Sequence, residues 1–280
     1  MSILHCCDIF SNLSASSKIK NLISEMGNKN QDMTIHQNVR DYFYVSQDNY
    51  YIADLEDGKD ITYYCDSATS CIIIFAVGKD GNDKKKAIIS HLSRPGRFEM
   101  FFSITEELFE NDRNVHIYAS GANPPSDDTA NRNAKQVKEW ISSMKSKGWE
   151  SDVSFGKGDP SVYNNNLDCY SLHCDGHGDI IASNDRIYLT VDQRDPTGGL
   201  QTLFCVFGDK NTIRLQTDIF SEAEIVKLVE DGKKKQFDLA ATMDDDQILK
   251  HFSSTPQYEV PWFCDTIRQA GLYVKNHMKG

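Results

Sequence analysis

An α+β fold is predicted, with a mostly antiparallel sheet and helices packed outside it. Three observations carry this. "CIIIFAV" (71–77) and "AIISHLS" (87–93) flank the loop "GKDGNDKKK" (78–86), the pattern of a β-hairpin, which builds antiparallel sheet. Ala134, Val137, Trp140, Ile141 and Met144 recur at spacings of three and four before Gly148, the pattern of an amphipathic helix with a glycine stop. The chain has 280 residues, 39% hydrophobic and 25% charged, enough to bury a sizeable core.

Residues 1–41 form a polar, weakly patterned N-terminal segment with one short helix expected between Lys18 and Ile35. "YFYVSQDNYYIADL" (42–55) alternates and is aromatic, so it reads as strand, and "DITYYC" (60–65) follows as a second one. After the hairpin, "SRPG" reads as a break. "SITE" (103–106) matches a capping box, so a helix is expected to begin there and run toward Asn111. "NVHIYAS" (114–120) and "ESDVSFG" (150–156) are strands on either side of the amphipathic helix. "SLHCDGHGDIIAS" and "RIYLTVD" are expected to pair as a hairpin.

From about residue 193 a β-α extension is expected. "TLFCVFG" (202–208) reads as strand, "SEAE" (221–224) caps a helix to about Glu230, and "MDDDQILKHF" and "VPWFCDTIRQAGLYVKNHM" supply two more helices. Pro261 suits the first turn of the last one. No internal repeat is present.

The formal net charge of -11 repels phosphate backbones and anionic headgroups, which argues against nucleic acid and membrane surfaces as partners. The longest apolar runs span about seven residues, against roughly 20 for a membrane helix. No secretory signal is recognisable at the N-terminus. The eight scattered cysteines are therefore expected to be reduced thiols made in a cytosol. A protein exported by a signal-independent route would have the same features.

Chemistry is concentrated at the open end of the hairpin. If Gly81 centres the turn, Cys71 lies opposite His91, and directly opposed residues have Cβ atoms roughly 4.5–5.5 Å apart. An adjacent imidazole can take the thiol proton and give a thiolate–imidazolium pair. The amides of Ser70 and Cys71, in a turn before the strand, would face a developing oxyanion. The alternative is that Cys71 is core packing and His91 a surface residue, and a register slip of one would send His91 to the other face.

The segments "YFYVSQDNYYIADL…ITYYCDSATSCIIIFAV" and "ISHLSRPGRF" resemble CheD, the chemoreceptor glutamine deamidase family. The matching motifs are Thr69-Ser70-Cys71, where the family has a Gly-Ser-Cys-type turn, and His91-Leu92-Ser93-Arg94-Pro95. The resemblance continues through "VHIYASGAN" and "NRNAKQVKEWISSMKSKGWESDVSFGKGDP" and spans residues 42–192. A similar Ser-Cys…His core occurs in bacterial toxins that deamidate host glutamines, such as cytotoxic necrotising factor.

The resemblance implies a CheD-like core over 42–192 and a C-terminal extension, 193–280, that selects the substrate. It implies deamidation of a protein substrate bearing a reactive glutamine, by a bacterial toxin or effector acting on a host protein, without metal or organic cofactor. Cys71 would be the nucleophile and His91 the general base and acid. The family's third residue, a Thr about six positions before the Cys, is replaced here by Cys65. Thr69, Thr62, Ser67 or a backbone carbonyl would stand in. A transamidase or protease on the same pair, and an inactive binding module, are the alternatives.

Other motifs read more simply. Cys169, His173, Cys174 and His177 number enough to ligate zinc, but strand alternation points Cys174 away from Cys169 and His173. Cys6-Cys7 reads as a flexible reduced pair and His116 as an ordinary sheet residue. Asp244-Asp245-Asp246 reads as helix capping, and the two Lys-Lys-Lys runs as solvated turns. Trp262 and Phe263 are expected to pack in a core.

Overall fold

Ten strands among the described residues divide between two sheets. The computed structural model describes residues 41–156 and 168–277. The helix expected between Lys18 and Ile35, Cys6-Cys7 and most of the turn after "ESDVSFG" lie outside them. The first half contains β1 (Asp41–Tyr44), β2 (Asn49–Asp54), β3 (Ile61–Cys65), β4 (Ile72–Lys79), β5 (Lys85–Leu92), α1 (Pro95–Leu108), β6 (His116–Gly121), α2 (Asp128–Met144) and β7 (Glu150–Phe155). Then come β8 (Tyr170–Cys174), β9 (Ile180–Ser183), α3 (Val191–Arg194), α4 (Leu200–Phe207), β10 (Arg214–Leu215), α5 (Glu222–Lys234), α6 (Asp245–Phe252) and α7 (Phe263–Asn276).

The large sheet has the order β10-β2-β5-β4-β6-β7 and the small one β1-β3-β8-β9. The α+β class holds and most strand pairs among the described residues are antiparallel, but the strands form two mixed sheets rather than one. The β1–β3, β10–β2 and β6–β7 pairs are parallel. The division begins where "YFYVSQDNYYIADL" seemed continuous. Asp48 takes a φ of 62°, the chain turns, and β1 joins the small sheet while β2 joins the large one.

Alternation along β4 builds two cores. Ile72, Ile74 and Ala76 face α1 and α2, where Phe98, Phe101, Val137, Trp140 and Ile141 cover them. Ile73, Phe75 and Val77 face the small sheet, packing with Tyr63, Leu172 and Cys174. The order is therefore helices, large sheet, small sheet.

Three local expectations need correction. The "SRPG" segment starts a helix rather than breaking the chain. Pro95 opens α1 as its first helical residue, where a missing N–H costs nothing, and Thr105 of "SITE" lies mid-helix with its hydroxyl on the Phe101 carbonyl at 2.8 Å. "TLFCVFG" forms α4, not a strand. Leu200, Leu203 and Phe204 bury at helical spacing, and the Asp195 carboxylate accepts the Thr202 N–H at 3.0 Å in the first turn. "SLHCDGHGDIIAS" is itself the hairpin of β8 and β9. "RIYLTVD" is not a strand: Ile187 and Leu189 pack on Tyr44, Tyr64 and Cys169, and Thr190 caps α3.

The C-terminal part is mostly helical, with the two-residue β10 added in parallel beside β2 rather than a β layer of its own. Capping boxes open α5 at Ser221 and α6 at Asp244, as their sequences predict. Pro261 precedes Trp262, the N-cap of α7, instead of lying in the first turn. The buried ion pair Arg194–Asp66 ties this part to the strands, and a second, Arg97–Asp48, joins α1 to the turn before β2. Arg97 also donates to the carbonyls of Cys205 at 3.3 Å and Asp209 at 3.0 Å. No helix among the described residues is long and apolar enough to cross a membrane.

Candidate functional site

The β4–β5 hairpin fixes where Cys71 and His91 stand. Ile73 pairs with His91 and Ile72 with Leu92, so the turn centres on Asn82 and not on Gly81. Asp80 is the physical reason. Its carboxylate accepts the N–H groups of Asn82 at 2.8 Å and Lys84 at 3.0 Å, and Asp83, not Gly81, takes the left-handed φ of 60°. Cys71 therefore does not oppose His91 directly. The shift is two residues, an even number, so both stay on the inner face of the hairpin as diagonal neighbours, a relationship that typically separates Cα atoms by about 7–8 Å.

Both groups are buried: Cys71 is 8% exposed and His91 1%. Cys71 belongs to the cluster between the sheets, with Ile73 and Ala68. Neither ring nitrogen of His91 has a hydrogen-bond partner among the described residues. A buried imidazole without partners is costly, and functional sites are one place where that cost is tolerated.

The loop before Cys71 is held carbonyl by carbonyl. Asn123 N–H donates to the Thr69 oxygen at 2.7 Å, and Ala122 N–H to the Cys71 oxygen at 2.8 Å. Asn133, near the start of α2, donates to the Ser70 carbonyl at 2.8 Å and to the Ser93 carbonyl at 3.3 Å. One side chain thus clamps the loop before Cys71 to the loop after His91. Gly121 is required here: a Cβ at that position would lie 2.4 Å from the Cys71 oxygen. The N–H groups of Ser70 and Cys71 have no acceptor among the described residues.

The electrostatics correct the expected thiolate–imidazolium pair. Burial pushes the Cys71 thiol well above its ordinary range, Asp48, Cys205 and Glu259 push the same way, and Arg94 opposes them. Burial pushes His91 down to about 4, against the pull of Asp48 and Asp66. At neutral pH the pair is therefore a neutral thiol and a neutral imidazole. Apolar walls, which the linear sequence does not display, outweigh the mutual stabilisation the pair would gain as ions.

Thr69 does not reach the His91 ring. Its hydroxyl oxygen accepts from Thr255 at 3.3 Å, and Thr255 also donates to Glu259 at 3.4 Å. The other stand-ins are engaged elsewhere. Thr62 contacts His173 at 3.3 Å and Ser67 donates to Asp66 at 3.0 Å. The structure brings Cys71, His91, Ser70 and Asn133 together and adds Asp48, Cys205 and the 253–259 segment around them. Asp48 and Asn133 carry no local signal of this role. Their partners lie in other elements.

The cysteines and histidines of "CYSLHCDGHGD" do not converge. Cys169 bonds the Asn184 carbonyl at 3.2 Å, Cys174 bonds the Leu55 carbonyl at 3.2 Å between the sheets, and His173 faces the other side. His116, the first residue of β6, is half-buried in the sheet beside Asp152 at 3.0 Å. Trp262 stacks on Arg194, 4.1 Å from the guanidinium to the ring centre, and donates to Ser67 at 3.0 Å.

No protein-family model matches the chain, and no curated protein matches it in sequence.

Proposed function

We propose that this protein is a cysteine-dependent protein-glutamine deamidase, converting glutamine side chains to glutamate with release of ammonia. The observation that supports it best is the placement of Cys71 and His91 on one face at the mouth of a hairpin, beside N–H groups of Ser70 and Cys71 that have no acceptor among the described residues. The CheD-like motifs that supply these residues point the same way.

Because both groups start neutral, the proton moves as the sulfur attacks. His91 turns toward Sγ and takes its proton while Sγ bonds to the amide carbon. The new oxyanion faces the Ser70 and Cys71 N–H groups. The imidazolium then gives its proton to the nitrogen, the C–N bond breaks and ammonia leaves. Water, deprotonated by His91, cleaves the thioester, and the proton returns to sulfur with glutamate as product. No cofactor is invoked. The residues from 193 onward select a protein substrate, and an effector acting on a host protein belongs to the same reading.

Mass spectrometry of glutamine-containing proteins and peptides incubated with the enzyme tests this. Conversion of NH2 to OH at glutamine, abolished by Cys71→Ala and by His91→Ala, is the expected result. Conversion that survives Cys71→Ala ends the proposal.

One observation favours a second reading, a binding module that keeps the pair without using it. The thiol is pushed up, the imidazole is pushed down to about 4, and no hydrogen bond joins them among the described residues. On that reading Cys71→Ala leaves every biological effect intact.

A further inference from the structure

Strand β7 ends the large sheet, and its outer side is open among the described residues. The Glu150 N–H donates to Val115 and the Gly156 N–H to Gly121, so the even-numbered residues turn their backbone groups inward to β6. In a parallel ladder the alternate residues turn theirs outward. Ser151, Val153 and Phe155 therefore present N–H and C=O groups along the edge that are unpaired among the described residues. Such an edge is a template for an added strand.

The side chains flanking this edge are sorted by charge. On the helix side an open groove of about 510 Å³ lies between β7 and α2, with Ile141, Val153 and Phe155 along it and Lys138 and Lys145 at its rim. Neither lysine has a carboxylate within ion-pair distance among the described residues, and Lys138 lies 5.7 Å from the centre of the Phe155 ring. On the opposite side Glu150 and Asp152 are 81% and 71% exposed; both flank His116, and Asp152 lies opposite Tyr118. The rim is thus basic toward α2 and acidic away from it, on a chain whose net charge is -11.

We infer that the β7 edge binds an extended segment of a partner protein by strand addition, with acidic side chains alternating with basic ones. A strand laid on the edge sends successive side chains to opposite faces. Its acidic residues then meet Lys138 and Lys145, and its basic residues meet Glu150 and Asp152. The backbone supplies affinity and the alternation supplies selectivity. The surface does not involve Cys71, and binding can be read without any deamidation.

The probe is an eight-residue peptide of alternating Glu and Lys, compared with one of the same composition segregated into a Glu block and a Lys block. Amide hydrogen exchange at Ser151, Val153 and Phe155 is followed in the full chain. In the free protein these amides exchange rapidly, and the alternating peptide slows them. The block peptide binds about tenfold more weakly, the loss expected when two or three favourable cross-strand charge pairs are forfeited. The double variant Lys138→Glu/Lys145→Glu, one on the exposed side of α2 and the other exposed at its C-cap, weakens the alternating peptide by about the same factor.

Equal binding of the two peptides, or binding of neither, overturns the inference. So does slow exchange at these amides in the free monomer, which means the chain covers its own edge. A concentration-dependent dimer that protects them without peptide makes a second copy the occupant and also overturns it.

Discussion

His91 stands opposite Ile73, one diagonal step from Cys71 on the face that looks toward the small sheet. This placement keeps the two groups neighbours and immerses both in apolar surroundings. The consequences are measurable at the sulfur, at the ring and in the scaffold around them.

The first concerns the thiol. Burial and the neighbouring Asp48 and Glu259 carboxyls hold the Cys71 proton on sulfur. Only a thiolate alkylates well, and a free cysteine titrates near about 8.5. At pH 8, Cys71 is expected to react with iodoacetamide at least about tenfold more slowly than an unstructured cysteine. Peptide mapping after timed labelling checks this. A rate that plateaus below pH 7 means an ion pair and contradicts the neutral description.

Asn133 is the clamp whose loss separates function from folding. Its amide serves the Ser70 and Ser93 carbonyls together. Asn133→Ala leaves both without that donor and is expected to cost about 1–3 kcal/mol of stability. If the deamidase reading holds, turnover under conditions where the variant is fully folded falls by a larger factor than substrate binding does. The loops carrying Cys71 and His91 are no longer locked together, and a small misplacement is expensive in a reaction coordinate. Urea unfolding and a kcat-against-KM comparison read the two effects.

Arg194 and Asp66 form the second test of the scaffold. The pair is sealed, with Tyr44 donating to Asp66 at 3.0 Å and Trp262 stacked on the guanidinium. Arg194→Met strands a buried carboxylate and is expected to destabilise by about 3–5 kcal/mol. The double variant Asp66→Asn/Arg194→Met recovers a large part of that loss, because the unpaired charge is gone. Equal stabilities of the single and double variants would show that Asp66 finds other compensation.

What was legible in the sequence was local. The β4–β5 hairpin, helix α2 with its Gly148 stop at a φ of 91°, and the capping boxes at Ser221 and Asp244 rest on residues within a few positions of each other. The hairpin register escaped because an Asp80 side chain, and not the glycine beside it, shaped the turn. Helix α4 escaped because an unbroken apolar run fits both periods, and only its packing partners in the C-terminal core choose between them. The split into two sheets hinged on a single left-handed residue, Asp48. At the site, Cys71 and His91 were visible as residue types at a spacing, whereas Asn133, Cys205 and Glu259 arrive from distant elements and leave no local trace.

Two titratable groups around Cys71 drive stability in opposite directions over the same pH range. His91 falls to about 4 in the folded chain against about 6.5 when unfolded. Between pH 6.5 and 4 the unfolded chain therefore binds the extra proton. Stability is lost as the pH falls, by about 3 kcal/mol. Glu259 behaves oppositely. Burial, with a smaller push from Asp168, raises it to about 7 against the bonds from Ser253 and Thr255. Between about pH 4.5 and 7 the folded chain holds the extra proton, so stability is lost as the pH rises. Glu259 is half-buried rather than sealed, so solvent screens part of this and about 2 kcal/mol is expected. In the native chain these two slopes largely cancel. His91→Gln removes the first, leaving a protein whose stability declines from pH 4.5 to 7. Glu259→Gln removes the second, leaving one that gains stability over the same interval. Denaturant melts of both variants at pH 4.5, 5.5, 6.5 and 7.5 measure the slopes. Parallel curves for the two variants would mean that the ring and the carboxyl do not titrate in the environments described.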